Sequence, residues 1–276
     1  MRTILITGCS SGIGWKCAEL LQRDGWDVHA TARNEEDAQR LLTLGVSSHI
    51  LDYTVTSSIH QTFTAVMEAT GGRLNALFNN GAYGQPGAVE DLSTDVLRAQ
   101  FEANFFGWHE LTNLVVPVMR KQGHGRIVHC SSILGWIPAP YRGAYNASKY
   151  ALEGLASTMR LELAGTDIHV SLIEPGPIAT RFSENALDKF LENVDWETSV
   201  NRPAYDQELQ RLKKQSKNTL TKFTLPPDAV FKKLDHALNA KRPKAHYGVT
   251  VPTHFMNVVR RILPQRLVDR IILGGT

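Results

Sequence analysis

Tyr145 and Lys149, in the stretch Gly143-Ala144-Tyr145-Asn146-Ala147-Ser148-Lys149-Tyr150, are the first residues whose types and spacing could do chemistry. Four positions apart on a helix, they share one face. A phenol releases its proton near pH ~10, and a cation held nearby favours the phenolate, so the pair makes a proton donor and acceptor usable near neutrality. The bare pattern also fits a solvated helix face with one buried aromatic, and the surroundings must decide. A second signal lies in Thr7-Gly8-Cys9-Ser10-Ser11-Gly12-Ile13-Gly14, directly after the apolar run Ile4-Leu5-Ile6. Glycines there let a backbone approach a pyrophosphate closely and turn into a helix whose amino end attracts anions.

These groups need elements to position them. Short β-rich runs recur at Ile4–Ile6, Val28–Ala30, His49–Leu51, Ala76–Phe78, Arg126–Val128 and His169–Ile173, as expected of strands buried on both faces. Helix-length segments, Gly14–Arg23, Ile59–Ala69, Thr94–Lys121 and Ala144–Leu163, lie between them. Alternation of this kind predicts an α/β fold, a Rossmann-type doubly wound parallel β-sheet, with ligands beyond the carboxyl ends of the strands. At 276 residues the chain is expected to form one domain, 1–276.

Beyond the second run comes Ala30-Thr31-Ala32-Arg33, close to the position where dinucleotide folds read the adenosine ribose. An acid there would select NAD. Arg33 suits a 2′-phosphate instead, with Ser11 adding a hydroxyl, so the expected cofactor is NADP(H).

Composition narrows the function classes. Basic and acidic residues nearly balance, 30 against 27, without a basic block among aromatics, so no nucleic-acid partner is expected. The cysteines Cys9, Cys17 and Cys130 have no metal-ligand spacing and leave an odd thiol, which fits a reducing compartment; the expectation is a cytoplasmic protein without a metal. Neither a signal peptide nor an apolar run long enough to span a bilayer is visible.

The Thr-Gly-x-x-x-Gly-x-Gly turn and Tyr-x-x-x-Lys, in this order and separation, resemble the short-chain dehydrogenase/reductase family along almost the whole chain. The resemblance implies an oxidoreductase that interconverts an aldehyde or ketone and its alcohol. It implies that Asp52, with Tyr53 beside it, holds the adenine, and that Asn80 and Gly81 approach the cofactor ribose. Asn79-Asn80-Gly81-Ala82 stands where the family usually has Asn-Asn-Ala-Gly, with the last two residues exchanged. Asn104 matches the asparagine that holds a water relaying protons toward the lysine. Ser132, thirteen residues before Tyr145, matches the catalytic serine in preference to Ser131. Pro175, Gly176, Ile178 and Thr180 match the segment bordering the nicotinamide.

By analogy with the family, residues 182–225 form a helical lid with Phe182, Leu187, Phe190, Leu191, Trp196, Tyr205 and Leu209 on an apolar inner face, and Trp136, Ile137, Pro138 and Tyr141 form the facing wall. Such a pocket suits an apolar carbonyl or alcohol, as in the hydroxysteroid and retinol dehydrogenases. A homodimer or homotetramer, paired through the helices of Asn104 and Tyr145, is expected on the same grounds. The extension 251–276 is basic and amphipathic and is interrupted at Pro264. It could cover the cleft, join subunits or lie on an acidic membrane, and packing is the favoured reading. A dinucleotide-binding regulator without turnover is the alternative function; it would have no need of the proton-transfer pair.

Overall fold

A computed structural model describes residues 1–216 and 223–274; residues 217–222 of the expected lid and 275–276 of the extension lie outside the described residues. Seven parallel strands form one sheet: β1 (Thr3–Ile6), β2 (Asp27–Ala32), β3 (Ser47–Ile50), β4 (Ala76–Asn79), β5 (His124–Cys130), β6 (Asp167–Glu174) and β7 (His246–Gly248), in the order β3-β2-β1-β4-β5-β6-β7. Winding runs outward in both directions from β1 and β4, which leaves the topological switch point between them. The apolar runs are buried because helices cover both faces; Ile4, Leu5 and Ile6 have no exposed surface. Six strands stand where the sequence places them. β7 escapes because three residues carry no readable period.

Helix α1 (Gly12–Arg23) opens directly from the glycine turn, followed by α2 (Glu35–Leu41) and α3 (Thr56–Ala69). The expected single helix Thr94–Lys121 is two: α4 (Thr94–Phe101) and α5 (Gly107–Gln122), joined by a π turn at Glu102–Phe106. The turn has a non-local cause. Asn104 points inward, donates through Nδ2 to the Tyr83 carbonyl at 2.8 Å and accepts from the Tyr83 N–H at 3.2 Å. Such a clamp favours the extra residue in the helix. α5 starts at Gly107 for lack of room: a Cβ there would lie 2.4 Å from the Tyr53 carbonyl oxygen.

Helix α6 (Gly143–Glu162) carries the tyrosine and lysine. After β6 come α7 (Phe182–Asn193) and α8 (Arg202–Ser216), which pack together, then α9 (Asp228–Asn239) against α1, and after β7 the pair α10 (Val251–Ile262) and α11 (Gln265–Gly274). The three cysteines are buried free thiols.

Beneath the sheet, His129 of β5 stacks on Trp108 of α5, with centroids 6.1 Å apart, and its Nδ1 lies 3.2 Å from Asn79 Nδ2. Burial first, then the charge of Lys149, pushes its pKa down to about 3. An unfolded chain takes up this proton below the ordinary value of ~6.5, whereas the folded chain refuses it until about pH 3. Stability is therefore lost as pH falls through that window, by up to about 1.4 kcal/mol per pH unit for this group. We predict that the unfolding free energy of His129→Gln, from urea titrations between pH 6 and 4, has a shallower pH slope than the parent by roughly this amount. Parallel curves would contradict the assignment.

Candidate active site

At the carboxyl edge of the sheet, a cleft of about 850 Å³ crosses the switch point. Its floor is the glycine turn. Gly8 and Gly12 adopt φ of +67° and +58°, values that favour glycine. A Cβ on Gly8 would sit 2.3 Å from the Gly81 Cα, and one on Gly12 would sit 2.9 Å from Thr180 Cγ2. The turn after β4 is thus pressed against the turn after β1. That contact explains the Gly81-Ala82 order physically: the residue lacking a side chain stands where the two backbones meet. Asn80 ties them together, its Nδ2 donating to the carbonyls of Thr7 and Gly8, each at 3.1 Å.

Ser11 precedes α1 without capping it by a side-chain hydrogen bond. Helix-start N–H groups have no intrahelical partner, and here they adjoin the cleft at Gly12 and Ile13. Ser10, Ser11 and Arg33 also line it. A bare amide floor at a helix amino terminus, with a guanidinium near one end, is a donor set that fits a phosphorylated dinucleotide. Asp52 lines the same end, with Oδ1 accepting from the Thr54 N–H at 2.9 Å. Tyr53 lies alongside, its hydroxyl donating inward to Asn79 Oδ1 at 2.7 Å.

At the other end stand Ser132, Tyr145 and Lys149, with Pro175, Gly176, Ile178 and Thr180 along the edge. β5 delivers Ser132, whose Oγ accepts from the Leu134 N–H at 3.1 Å and so fixes the following turn. α6 delivers the other two. Tyr145 is buried edge-on against Phe182, with centroids 5.4 Å apart. Burial pushes its phenol pKa up, Cys130 adds to that, and the Ser132 hydroxyl, a hydrogen-bond partner, pulls it down.

Lys149 departs from expectation. Its Nζ donates to the Cys130 carbonyl at 2.8 Å and lies 4.2 Å from the centre of the Trp108 ring, which leaves it 5.8 Å from that of Tyr145. Burial pushes the ammonium down to about 8, with Cys130 and then Glu153 opposing. In this arrangement burial, and not the lysine, sets the tyrosine's pKa, so the expected lowering is absent.

Two predicted cofactor contacts do not reach the cleft. Gly14 lies under the turn, where a Cβ would fall 2.2 Å from the Gly8 carbonyl oxygen; its smallness seats α1. Asn104 is fully buried and engaged with Tyr83 and, at 3.5 Å, with Ser148 Oγ. Each shapes the floor without lining it.

Substrate walls need correction too. Of the expected apolar lid face, Phe182 lines the cleft, joined by Ala186 and Leu212. Phe190, Tyr205 and Leu209 instead form the lid's own core with Val194, Leu187 and Trp196 packed in or against it, while Leu191 is exposed. On the facing side Ile133, Leu134 and Ala139 line the space. Trp136 and Ile137 turn away toward α10, and Tyr141 packs on Tyr205. A hydrophobic alternation marks apolar positions without saying which of two cores receives them.

Neither Trp108 under the lysine nor the lid's anchor carries a signal in the sequence. Arg142 and Glu208 form a buried ion pair, shared with Arg211 at 3.3 Å, that ties α8 to the start of α6. Nearby, Tyr205 bonds Asp91, and Ser199 Oγ donates to Asp91 at 2.6 Å. Removing one member of a buried pair strands the other charge, whereas replacing both with apolar groups is far milder. Glu208→Leu is therefore expected to weaken the hydrogen-exchange protection of α8 by about 3 kcal/mol, roughly 150-fold. Arg142→Met/Glu208→Leu should recover most of it, and equal losses in the two variants would count against the pair as the anchor.

Comparison with known proteins agrees with this geometry. The profile described as short chain dehydrogenase matches residues 2–190. The chain is 39% identical over 273 residues to an uncharacterized oxidoreductase, YbbO, of Escherichia coli, covering 99% of this chain and 94% of that one. It is 35% identical to a 3-ketodihydrosphingosine reductase of Bacteroides thetaiotaomicron over 76% of this chain and 74% of the other. Among solved structures, a variant of actinorhodin polyketide ketoreductase with NADPH superposes with a TM-score of 0.73 at 26% identity, covering 90% of this chain and 95% of that one.

Proposed function

The chain belongs to the short-chain dehydrogenase family, and within it we propose an NADP(H)-dependent oxidoreductase that interconverts an apolar aldehyde or ketone and its alcohol. One observation carries the reading: Ser132, Tyr145 and Lys149 share a single cleft with the glycine turn and Arg33. Bound there, the dinucleotide would supply or accept the hydride.

Each residue of the chain then has a physical task. Ser132 donates a hydrogen bond to the substrate oxygen, where charge grows during reduction. Tyr145 delivers the proton. Its raised pKa keeps the phenol protonated through neutrality, which suits the donor role in the reductive direction. Lys149, with one N–H on the Cys130 carbonyl, has two donors left for the ribose end of the cleft and, when charged, favours the phenolate once the proton has left. Asn104 acts as a positioning residue, through the Tyr83 backbone that it clamps. Asp52, Asn80, Gly81 and the Pro175–Thr180 edge hold the cofactor, and Arg33 reads its 2′-phosphate. Ala82, Ala186, Ile133 and Leu134 give the substrate end its apolar surface.

A homodimer or homotetramer is part of the proposal. Leu97 and Phe106 on or beside α4 and α5, and Tyr150 and Leu161 on α6, stand exposed where such pairing would bury them.

NADPH oxidation, followed by absorbance across aliphatic, aromatic, retinoid and steroid ketones and aldehydes, is expected to show turnover that Tyr145→Phe abolishes. Tight NADPH binding without turnover in either direction would favour the regulator instead. Arg33→Ala should weaken NADPH binding by about 1.5–3 kcal/mol, the range for charge-assisted hydrogen bonds, with NADH nearly unaffected. Equal losses for both cofactors in a fluorescence titration would refute the 2′-phosphate role.

A further inference from the structure

The helices after β7 contain an apolar surface that neither the core nor the cleft uses. α10 turns Thr253, Met256 and Val259 inward, and Met256 and Val259 pack with Val268 of α11 on Ile137, with Trp136 against them. Arg260 pins the helix there, donating to the Trp136 carbonyl at 3.0 Å with its guanidinium 5.6 Å from the indole centre. The opposite side is also apolar. Val251, Phe255, Val258 and Ile262 recur at intervals of four, three and four residues and are 66%, 56%, 56% and 71% exposed. That spacing lays them in one strip along the helix. Leu267 and Ile271 of α11 are exposed as well.

Charge says what such a strip fits. Arg260, Arg261, Arg266 and Arg270 are exposed on the same two helices, and the single acid within 251–274 is Asp269, which accepts from Gln265 Nε2 at 2.7 Å. A two-fold contact of the strip with a second copy would bring Arg261, Arg266 and Arg270 of each copy, six arginines, together. An anionic lipid surface accepts both features: side chains enter the acyl boundary while guanidinium groups meet phosphates. No helix among the described residues is long and apolar enough to cross a membrane, and twelve residues of α10 span about 18 Å, a length that lies in the interface plane.

We propose that the exposed strip of α10, with the arginines of α10 and α11, docks this protein on the surface of an anionic bilayer. Docking has a consequence for the cleft. The start of α10 touches its edge, since a Cβ on Gly176 would lie 2.2 Å from Thr250 Oγ1 and 3.1 Å from Thr253 Oγ1. The strip therefore sets the cleft beside the lipid surface, where an apolar substrate would be concentrated. This last point rests on the proposed activity; the docking does not.

Vesicle flotation of the full chain tests it, with phosphatidylcholine vesicles containing or lacking phosphatidylglycerol. Binding to the anionic vesicles is expected to fall about tenfold or more with phosphatidylcholine alone, and similarly in 1 M NaCl, where the Debye length is ~3 Å. Phe255→Ser/Ile262→Ser should lose about tenfold or more of the binding, with its circular dichroism and melting temperature unchanged. Arg261→Gln/Arg266→Gln/Arg270→Gln, which spares the pinned Arg260, should weaken binding to anionic vesicles only. Absence of flotation by the parent chain, or equal flotation by the serine variant, would overturn the proposal. So would a fall in the oligomer mass of that variant during lipid-free sedimentation, which would assign the strip to a second copy. None of these readouts requires turnover, so docking can fail while the oxidoreductase reading stands, and the reverse.

Discussion

A buried ammonium is the constraint on which the site depends. Lys149 is 1% exposed, bonded to one backbone carbonyl and seated over one indole. A charge so placed is costly unless its surroundings compensate, and burial lowers its pKa to about 8 with Cys130 and Glu153 opposing. Much of the architecture can be read as the means of holding it. The Cys130 carbonyl at the end of β5 faces Nζ, and the first turn of α5 brings Trp108 beneath it. His129, stacked under the same indole, is held neutral in part by that charge.

The same economy explains why some residues identified as contacts turn out to be supports. Gly14 and Asn104 do not line the cleft, yet without the first α1 could not close on the glycine turn, and without the second the loop at Tyr83 would lose two hydrogen bonds. The lid follows this logic. Phe190, Tyr205 and Trp196 pack in or against its own core, leaving Phe182 to the cleft, and the buried Arg142–Glu208 pair fastens that core beside α6.

Sheet and cleft were legible because their signals are local. Strands buried on both faces read as apolar runs, and the glycine turn and Tyr145–Lys149 spacing express backbone and helix geometry within a few residues. What stayed illegible depends on contacts between distant parts of the chain. The π turn arises from Asn104 reaching Tyr83, the exchange at Gly81-Ala82 makes sense only against Gly8, and the destinations of Ile137 and Tyr205 were decided by cores that the sequence does not delimit. The tyrosine's pKa belongs with these. Spacing put a cation on its helix face, whereas burial and the Cys130 carbonyl determined what that cation does.

Direct titration of the Lys149 amine tests the central claim. Nitrogen-detected magnetic resonance of the ligand-free protein, labelled at lysine and assigned with Lys149→Arg, would give its midpoint. The account predicts a midpoint near 8, well below the ordinary lysine value, because burial outweighs the carbonyl and indole that hold the charge. A midpoint near that ordinary value of ~10.4 would contradict it. The ammonium would then be fully charged across the neutral range, and the arrangement at Cys130 and Trp108 would not be the constraint that shapes the site.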